Sequence, residues 1–547
     1  MKIYNNKNNL INIAINRVLS NYNFKKYSKY YGNFDRNFWH TKTISDFPSS
    51  TYQQTILGIT KYCIYLEGEK KKNNILIKKL NSIIKNSILN WCYIQNPDGS
   101  QNEYYKNDRS FCPTSFTTFA ISKSFILKKN LFNFEEKKTI KEKIKKSSIW
   151  ICKNMYYESC NQLLAAHNAL YFSYLILKNK DIKKKYNSIK NKIIHLSNSG
   201  NLKEYGGYDT GYIFISLDLI YEFLLFKKDK EIIKLANHLC RFLTNFLHPD
   251  GTSGGAYNSR NTTHIMPFAC LIHSVLKSQH SKNLYIWFRD HEKSIVYENP
   301  LKINDKYFCY FYFNSIINYF LTTSSSINVK QKELKNNDNF FDEKSGMGKI
   351  KIGSLLMFFN LKKNICFKVF KKNKLIIDEE GFNIYNKQKI FTSQCLSGNL
   401  FKKSITNNKK INITTEGKLQ KIKDFIPLEN YMVSFKFFSK YILNNKFFSI
   451  LFNRFIKKKF LKNKNLSNIK LVRNLTIQEN KIEIIDKIDI TDSKSTYKFN
   501  KIEHASETYS DSSNFFESRG LEYLINELYS ISYKPNKMII KRKFKIG

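Results

Sequence analysis

Apolar residues recur at three- and four-residue steps through most of the first 320 positions of the chain. The segments TYQQTILGITKYCIYLEG (51–68), ILIKKLNSIIKNSILNWCYIQ (75–95), TSFTTFAISKSFILKK (114–129), NQLLAAHNALYFSYLILKN (161–179), GYIFISLDLIYEFLLF (211–226) and EIIKLANHLCRFLTNFL (231–247) carry that spacing. It is the period of one face of an α-helix, and the segments are too long for strands. Short polar connections between them predict antiparallel neighbours. Three connections share a character: NPDGSQNEYY (96–105), EYGGYDTGY (204–212) and HPDGTSGGAY (248–257) are each a Gly/Asp turn that ends in tyrosine. Pro-Asp-Gly is a strong turn signal. The recurrence predicts helical hairpins stacked around an axis, with these loops gathered at one mouth.

The period changes beyond a polar stretch, 322–349, that reads as a linker. KIKIGSLLMFFNL (349–361), ICFKVFKKNKLIIDEEG (365–381), KKINITTEGKLQKI (409–422), NYMVSFKFFS (430–439), LVRNLTIQENKIEIIDKIDIT (471–491) and KMIIKRKFKI (537–546) alternate with period two and are rich in β-branched residues. Such alternation predicts half-buried antiparallel strands. Glu479-Asn480 reads as a tight turn between two of them. FFSILFNRFIKKKFLKN (447–463) stands apart as a basic helix or a loop inserted in the sheet region. The expected architecture is multi-domain α + β: an N-terminal (α/α) toroid or incomplete helical barrel, then a C-terminal antiparallel β-sandwich. The expected boundaries are an arm over 1–50, the toroid over 51–321, the linker over 322–349 and the sandwich over 350–547.

Composition changes this picture little. The 547 residues include 91 Lys or Arg against 44 Asp or Glu, a formal charge of +47. Nearly all of the positive charge is lysine, spread through every segment in a chain rich in Asn, Ile, Phe and Tyr, as AT-rich codons produce. A nucleic-acid binder would concentrate cations and aromatics on one face, so no nucleic-acid partner is expected. The ten cysteines show neither a disulfide framework nor a CxxC pattern, and several lie among apolar residues. A reducing compartment follows. The first 24 residues lack an apolar core and a small-residue cleavage site, and no run reaches the roughly 18 to 20 apolar residues of a membrane span. The expected location is cytoplasmic.

Glycine is scarce, 19 in the chain, yet Gly206, Gly207 and Gly211 fall within six positions and Gly251, Gly254 and Gly255 within five. Glycine serves where backbone must approach a ligand closely or turn with positive φ, and both readings stay open here. Arg is scarcer still. Arg260 lies among Tyr257, Asn258, Asn261 and His264, and suits bidentate carboxylate recognition or a structural ion pair. His167 reads as a core histidine. Trp39 and Phe38, near Asp35, Arg36 and His40, offer a sugar-stacking platform or an arm packed across the barrel. Glu103, Tyr104 and Arg109 can line the same mouth.

The sequence of a helical toroid and antiparallel sheets, with CNQLLAAHNALYF (160–172) and EYGGYDTGYIFISLDLI (204–220), resembles the heparinase II/III-like polysaccharide lyases and their relatives. The likeness covers residues 30–320 in order and texture, and the β region in architecture only. In that group an Asn helps neutralise a uronate carboxylate and a Tyr moves a proton at the sugar. Asn161 takes the Asn position, Gln162 stands where the group has a His, and Tyr212 takes the Tyr position. The group's His-rich β-domain motif has no counterpart, because the only His beyond 291 is His504 in IEHASETYSDSS. No metal or other cofactor is therefore expected.

Elimination across C4–C5 of a uronate needs the carboxylate charge offset, preorganised donors for the developing enolate, and a proton carrier within hydrogen-bond reach. Asn161, Tyr212, Tyr257 and His264 are the catalytic candidates. Gln162, Glu204, Asp209, Asn258, Arg260, Asn261, Arg109 and Trp39 are the candidates for substrate binding. The expected partner is an acidic polysaccharide or oligosaccharide, and the expected activity a β-eliminative lyase. C5 epimerisation through the same carbanion remains open, as does a non-catalytic glycan-binding or assembly role. A terpenoid-cyclase toroid is disfavoured by the lack of an Asp-x-Asp-Asp motif.

Overall fold

The computed structural model describes residues 7–40, 45–69, 73–198, 202–298, 300, 303–322, 339–386, 389–397, 399–406, 410–422, 429–456, 466–490, 497–502, 527–534 and 536–546. His504, most of the 322–349 stretch and residues 457–463 of the basic segment lie outside the described residues.

A first helix, α1 (Lys7–Leu19), belongs to the N-terminal arm. The helices that follow alternate between two kinds. α2 (Ile56–Gly68), α4 (Phe111–Leu127), α6 (Cys160–Leu177), α8 (Thr210–Leu224), α10 (Pro267–Cys270) and α12 (Phe313–Thr322) form an inner ring. Each packs on the next, and α12 returns to α2, so the ring closes. α3 (Asn74–Ile94), α5 (Phe134–Lys153), α7 (Lys180–Asn198), α9 (Lys230–Leu243) and α11 (Gln279–Asp290) lie outside. Sequence dictates the split. α8 buries Thr210, Gly211 and every residue from Ile213 to Leu224. α9 buries Ile232, Leu235, Ala236, Leu239, Cys240, Phe242 and Leu243, one face at three- and four-residue steps.

α5 and α7 are absent from the helices expected from the sequence. Their lysine-rich outer faces dilute the apolar signal, which survives as Ile140, Ile144 and Ile151 in α5 and Ile182, Tyr186, Ile189 and Ile193 in α7. α5 also begins with a complete capping box between Asn133 and Glu136.

The ring axis holds charge. Glu222 accepts from Lys61 and Lys123, and from Asn318 Nδ2 at 2.6 Å. Ser315 Oγ donates to Asp218 Oδ1 at 2.6 Å. Burial pushes Glu222 up, but the two ammoniums outweigh it and hold the group down to about 2. Burial pushes Asp218 up to about 7.

The C-terminal region consists of two antiparallel sheets. β1 (Phe340–Asp342), β2 (Met347–Ile352), β3 (Leu355–Asn360), β4 (Cys366–Lys371) and β5 (Lys374–Glu379) pair in sequence order. The second sheet comprises β6 (Phe382–Asn386), β7 (Lys389–Thr392), β8 (Asn399–Thr406), β9 (Lys410–Ile422), β10 (Leu466–Gln478), β11 (Lys481–Asp489), β12 (Lys498–Lys501), β13 (Glu527–Lys534) and β14 (Lys537–Lys545). Its order is β12-β6-β7-β9-β10-β11-β14-β13, with β8 also on β9. Glu479 and Asn480 turn β10 into β11, pairing Gln478 with Lys481. Alternate residues of both sheets, among them Ile350, Phe367, Leu475, Ile484 and Phe544, meet in one apolar cluster. Arg473, Asp486, Glu379 and Arg542 interrupt that inner face as a fully buried ionic network.

The smaller sheet's other face rests on the toroid. Met347, Phe358, Cys366 and Phe370 belong to the toroid's own core, and the His248 ring lies 4.7 Å from Phe358.

One expected strand is a helix. NYMVSFKFFS (430–439) alternates in sequence, yet it forms α13 (Glu429–Phe437), followed by a wide turn and α14 (Lys446–Ile456). This pair is an insertion between β9 and β10. It docks against the toroid loop at 105–109 through Phe435 and Phe452, which flank Tyr105 at 5.4 and 5.8 Å. Aromatic docking at every third or fourth position decides for helix where a bare alternation was ambiguous.

Candidate functional site at the ring mouth

Consecutive helices run antiparallel, so the inner helices share one direction. The loops that enter α4, α6, α8 and α10 therefore gather at one end of the ring. The N-termini of α4, α6 and α8, helices of 17, 18 and 15 residues, lie at that end, an arrangement that favours negative charge.

Two of these loops are locked together through Asp209. Its carboxylate caps α8 by accepting from the Tyr212 amide at 3.2 Å. It also accepts from the Arg260 amide at 3.0 Å and from the Thr262 hydroxyl. One acid thereby fixes both Tyr212 and Arg260. The glycines make the approach possible. A Cβ on Gly211 would collide with the Thr262 hydroxyl, and one on Gly254, at φ +81°, with the Asn258 side chain. Here the glycines serve loop against loop.

A third loop joins at the start of α6. Asn161 Nδ2 donates to Glu204 Oε2 at 3.0 Å, and Gln162 Nε2 to the Tyr205 hydroxyl at 3.4 Å. The Arg260 guanidinium lies 4.8 Å from the centre of the Tyr205 ring. Gln162, Tyr205, Tyr212 and Arg260 are half-buried, whereas Asn161, Glu204 and Asp209 lie beneath them. Burial pushes the Glu204 carboxyl up to about 8, so at neutral pH it is largely protonated. Burial and the Glu204 charge raise Tyr205 well above the phenol range, and Arg260 opposes them.

The loop before α4 adds Tyr104, which is 66% exposed, with the Lys306 ammonium 4.4 Å from its ring centre. The neighbouring Glu103 carboxylate raises its pKa. Cys112 Sγ lies 2.6 Å from the Tyr310 hydroxyl.

The remaining candidates sit elsewhere. Tyr257 is fully enclosed, its hydroxyl 2.7 Å from His248 Nε2 and accepting from the Gly254 amide. His264 is likewise enclosed; burial pushes it down to about 3, and its ring supports Tyr212 edge-on at 5.6 Å. Asn258 Nδ2 ties the loop by donating to Thr210 Oγ1 and the Thr262 carbonyl. Asn261, with φ +55°, donates to Gln394 and accepts from Lys363, which joins the loop to the sheets. Arg109 turns to the insertion and donates to the carbonyls of Leu443 and Asn444. Trp39 donates to the Asn21 carbonyl at 2.8 Å within the arm.

Tyr205 is absent from the sequence-derived candidates. One signal marked it, its place between Glu204 and two glycines, but 35 tyrosines in the chain drown that signal. A separate recess of about 750 Å³ lies between α7, α9 and the β1–β2 turn, and none of the site candidates lines it. Among the described residues no group of three or more His, Cys, Asp or Glu could hold a metal ion, and no helix is long and apolar enough to cross a membrane.

No family model matches the sequence, and no curated protein sequence matches it. Solved structures do match in fold. A Paenibacillus xanthan lyase superposes with a TM-score of 0.50 at 9% identity, covering 90% of this chain and 46% of that one. This chain therefore spans under half the length of that relative. Streptomyces coelicolor A3 chondroitin AC lyase, solved in complex with chondroitin sulphate, gives a TM-score of 0.50 at 5% identity, covering 90% and 72%. A heparan sulfate lyase HepC mutant from Pedobacter heparinus superposes less well, at 0.38 with 11% identity, covering 86% and 70%. The chain has a polysaccharide lyase-like fold.

Proposed function

We propose that this protein is a carbohydrate-active enzyme that cleaves an acidic, uronate-containing polysaccharide by β-elimination at the ring mouth. The observation that carries the reading is the stack of Arg260 on Tyr205 with the Gln162 amide at the phenol oxygen. It sets a guanidinium, an amide and a phenol at one accessible point. The convergent helix N-termini and the lyase-like fold support the same reading, the latter as analogy.

The chemistry assigns roles. Arg260 and Gln162 offset the uronate carboxylate, which acidifies the C5 proton. Tyr212, as its phenolate, takes that proton, while Tyr205, held protonated, is a donor. The C5 electrons form the C4=C5 double bond while the C4–O4 bond breaks, and the leaving oxygen takes a proton back from a tyrosine. Asn161 and the protonated Glu204 hold the loop beneath Tyr205, and Asp209 positions Tyr212 and Arg260.

A second reading rests on the raised pKa of Tyr205. A phenol that stays protonated donates rather than abstracts, which suits a glycan-binding role without cleavage, or epimerisation by another base. Incubating the protein with a panel of uronate polymers and following the ultraviolet absorbance of unsaturated ends separates these. Elimination predicts absorbance, with kcat/KM lowered about 10²-fold or more in Tyr205→Phe or Tyr212→Phe and in Arg260→Ala. Deuterium uptake at C5 without absorbance assigns epimerisation. Retained binding with neither signal assigns the binding role.

A further inference from the structure

The α13–α14 insertion breaks the burial pattern of the rest of the chain. One side is fully engaged with the toroid: Ser449 Oγ donates to the Asn107 carbonyl and Asn453 Nδ2 to the Asp108 carbonyl. Away from these contacts the pair exposes Tyr431, Val433, Phe437, Tyr441, Phe447 and Phe448, with Val433 78% and Phe447 65% exposed. Phe437 meets Tyr441 at 4.6 Å and Phe447 meets Phe448 at 5.8 Å. Single exposed apolar residues are ordinary, but a set of them on one supersecondary unit marks an interaction surface.

Charge identifies the occupant. From Glu429 to Ile456 the chain has Lys436, Lys440, Lys446 and Arg454 against a single acid, Glu429. A second copy would set cation against cation. A hydrated polyanion would use the cations but not the aliphatic surface of Val433, Met432 and Leu451, all exposed. An anionic bilayer interface takes both, aromatics at headgroup depth and lysines on the lipid charge. Helices of 9 and 11 residues are too short to span the bilayer and can only lie on it.

We propose that the α13–α14 hairpin docks the protein on an anionic phospholipid surface. The toroid loop it grips is the one that carries Tyr104, so docking holds the ring mouth beside the bilayer. This proposal stands independently of the reaction at the mouth.

The test is flotation of the full chain with phosphatidylglycerol–phosphatidylcholine vesicles and with phosphatidylcholine vesicles alone. The protein is expected to float with the anionic vesicles only, and less so as salt rises. The double variant Phe447→Ser with Phe448→Ser, and separately Lys440→Gln with Lys446→Gln, should each weaken partitioning about tenfold. Neither pair includes a residue that anchors the hairpin, and an unchanged melting temperature verifies folding. No partitioning, or partitioning that neither variant alters, overturns the proposal. A dimer in light scattering that the phenylalanine variant abolishes also overturns it, and assigns the face to a second copy.

Discussion

At the scale of single residues, Glu204 ties the site to pH. Burial lifts its carboxyl from the ordinary 4.5 to about 8. Between those values the folded chain holds a proton that the unfolded chain releases. Stability from this group is therefore full below about 4.5 and lost as pH rises toward 8. Glu204→Gln should remove that dependence. Its melting temperature is expected to rise relative to wild type from pH 5 to pH 8, with a difference in slope of up to ~1.4 kcal/mol per pH unit. Parallel melting curves for the two proteins would refute it. His264 acts at the acid end with the opposite sign. Burial depresses it from 6.5 to about 3, so its share of stability is lost as pH falls through that window. The sequence named Asn161, Tyr212 and Arg260, whose loops do meet, but it could not tell an open tyrosine from an enclosed one. Tyr205 and Tyr257 sit in similar Gly-rich surroundings, and only packing against His248 and Phe358 separates them.

At the scale of elements, α8 shows how a cap becomes part of a site. Asp209 ends one loop, starts the helix and fixes the partner loop. Asp209→Ala should cost about 1–2 kcal/mol of stability from the cap alone. It should reduce turnover on any uronate substrate by more than that loss explains, because Tyr212 and Arg260 lose their common anchor. Urea unfolding at a temperature where the variant stays folded, run beside the absorbance assay, checks both. Turnover falling only in step with the folded fraction would count against the positioning role. The inner helices α2, α4, α6 and α8 were legible in sequence because they are buried nearly all round. α5 and α7 were not, because lysine-rich faces leave only a narrow apolar stripe. α13 misled because Tyr431, Val433, Phe435 and Phe437 alternate while Met432, Phe435 and Phe438 recur at three-residue steps, and the docking partner that decides lies over 300 positions away.

At the scale of the whole molecule, the sheets complete the toroid. Phe340 packs on Phe242 and Phe246, Phe358 on His248, and Asn360 Nδ2 donates to the Tyr257 carbonyl at 2.8 Å. A fully buried Phe such as Phe358 contributes about 1.5–3 kcal/mol. A chain ending at residue 322 should therefore expose this face, aggregate in light scattering and melt well below the full chain. A monodisperse fragment with an unchanged melting temperature would show the toroid to be independent. The sequence by itself determined the change of period from helix to strand, the order of the two architectures and the clustering of glycines and acids in particular loops, because these depend on neighbours a few positions apart. The closure of α12 on α2, the choice of Tyr205 over Tyr257 as the open phenol and the placement of Arg109 against the insertion were decided only by tertiary structure. Each depends on contacts between residues distant in the chain, and the free energy of such a contact is set by what surrounds it, not by the local pattern that carries it.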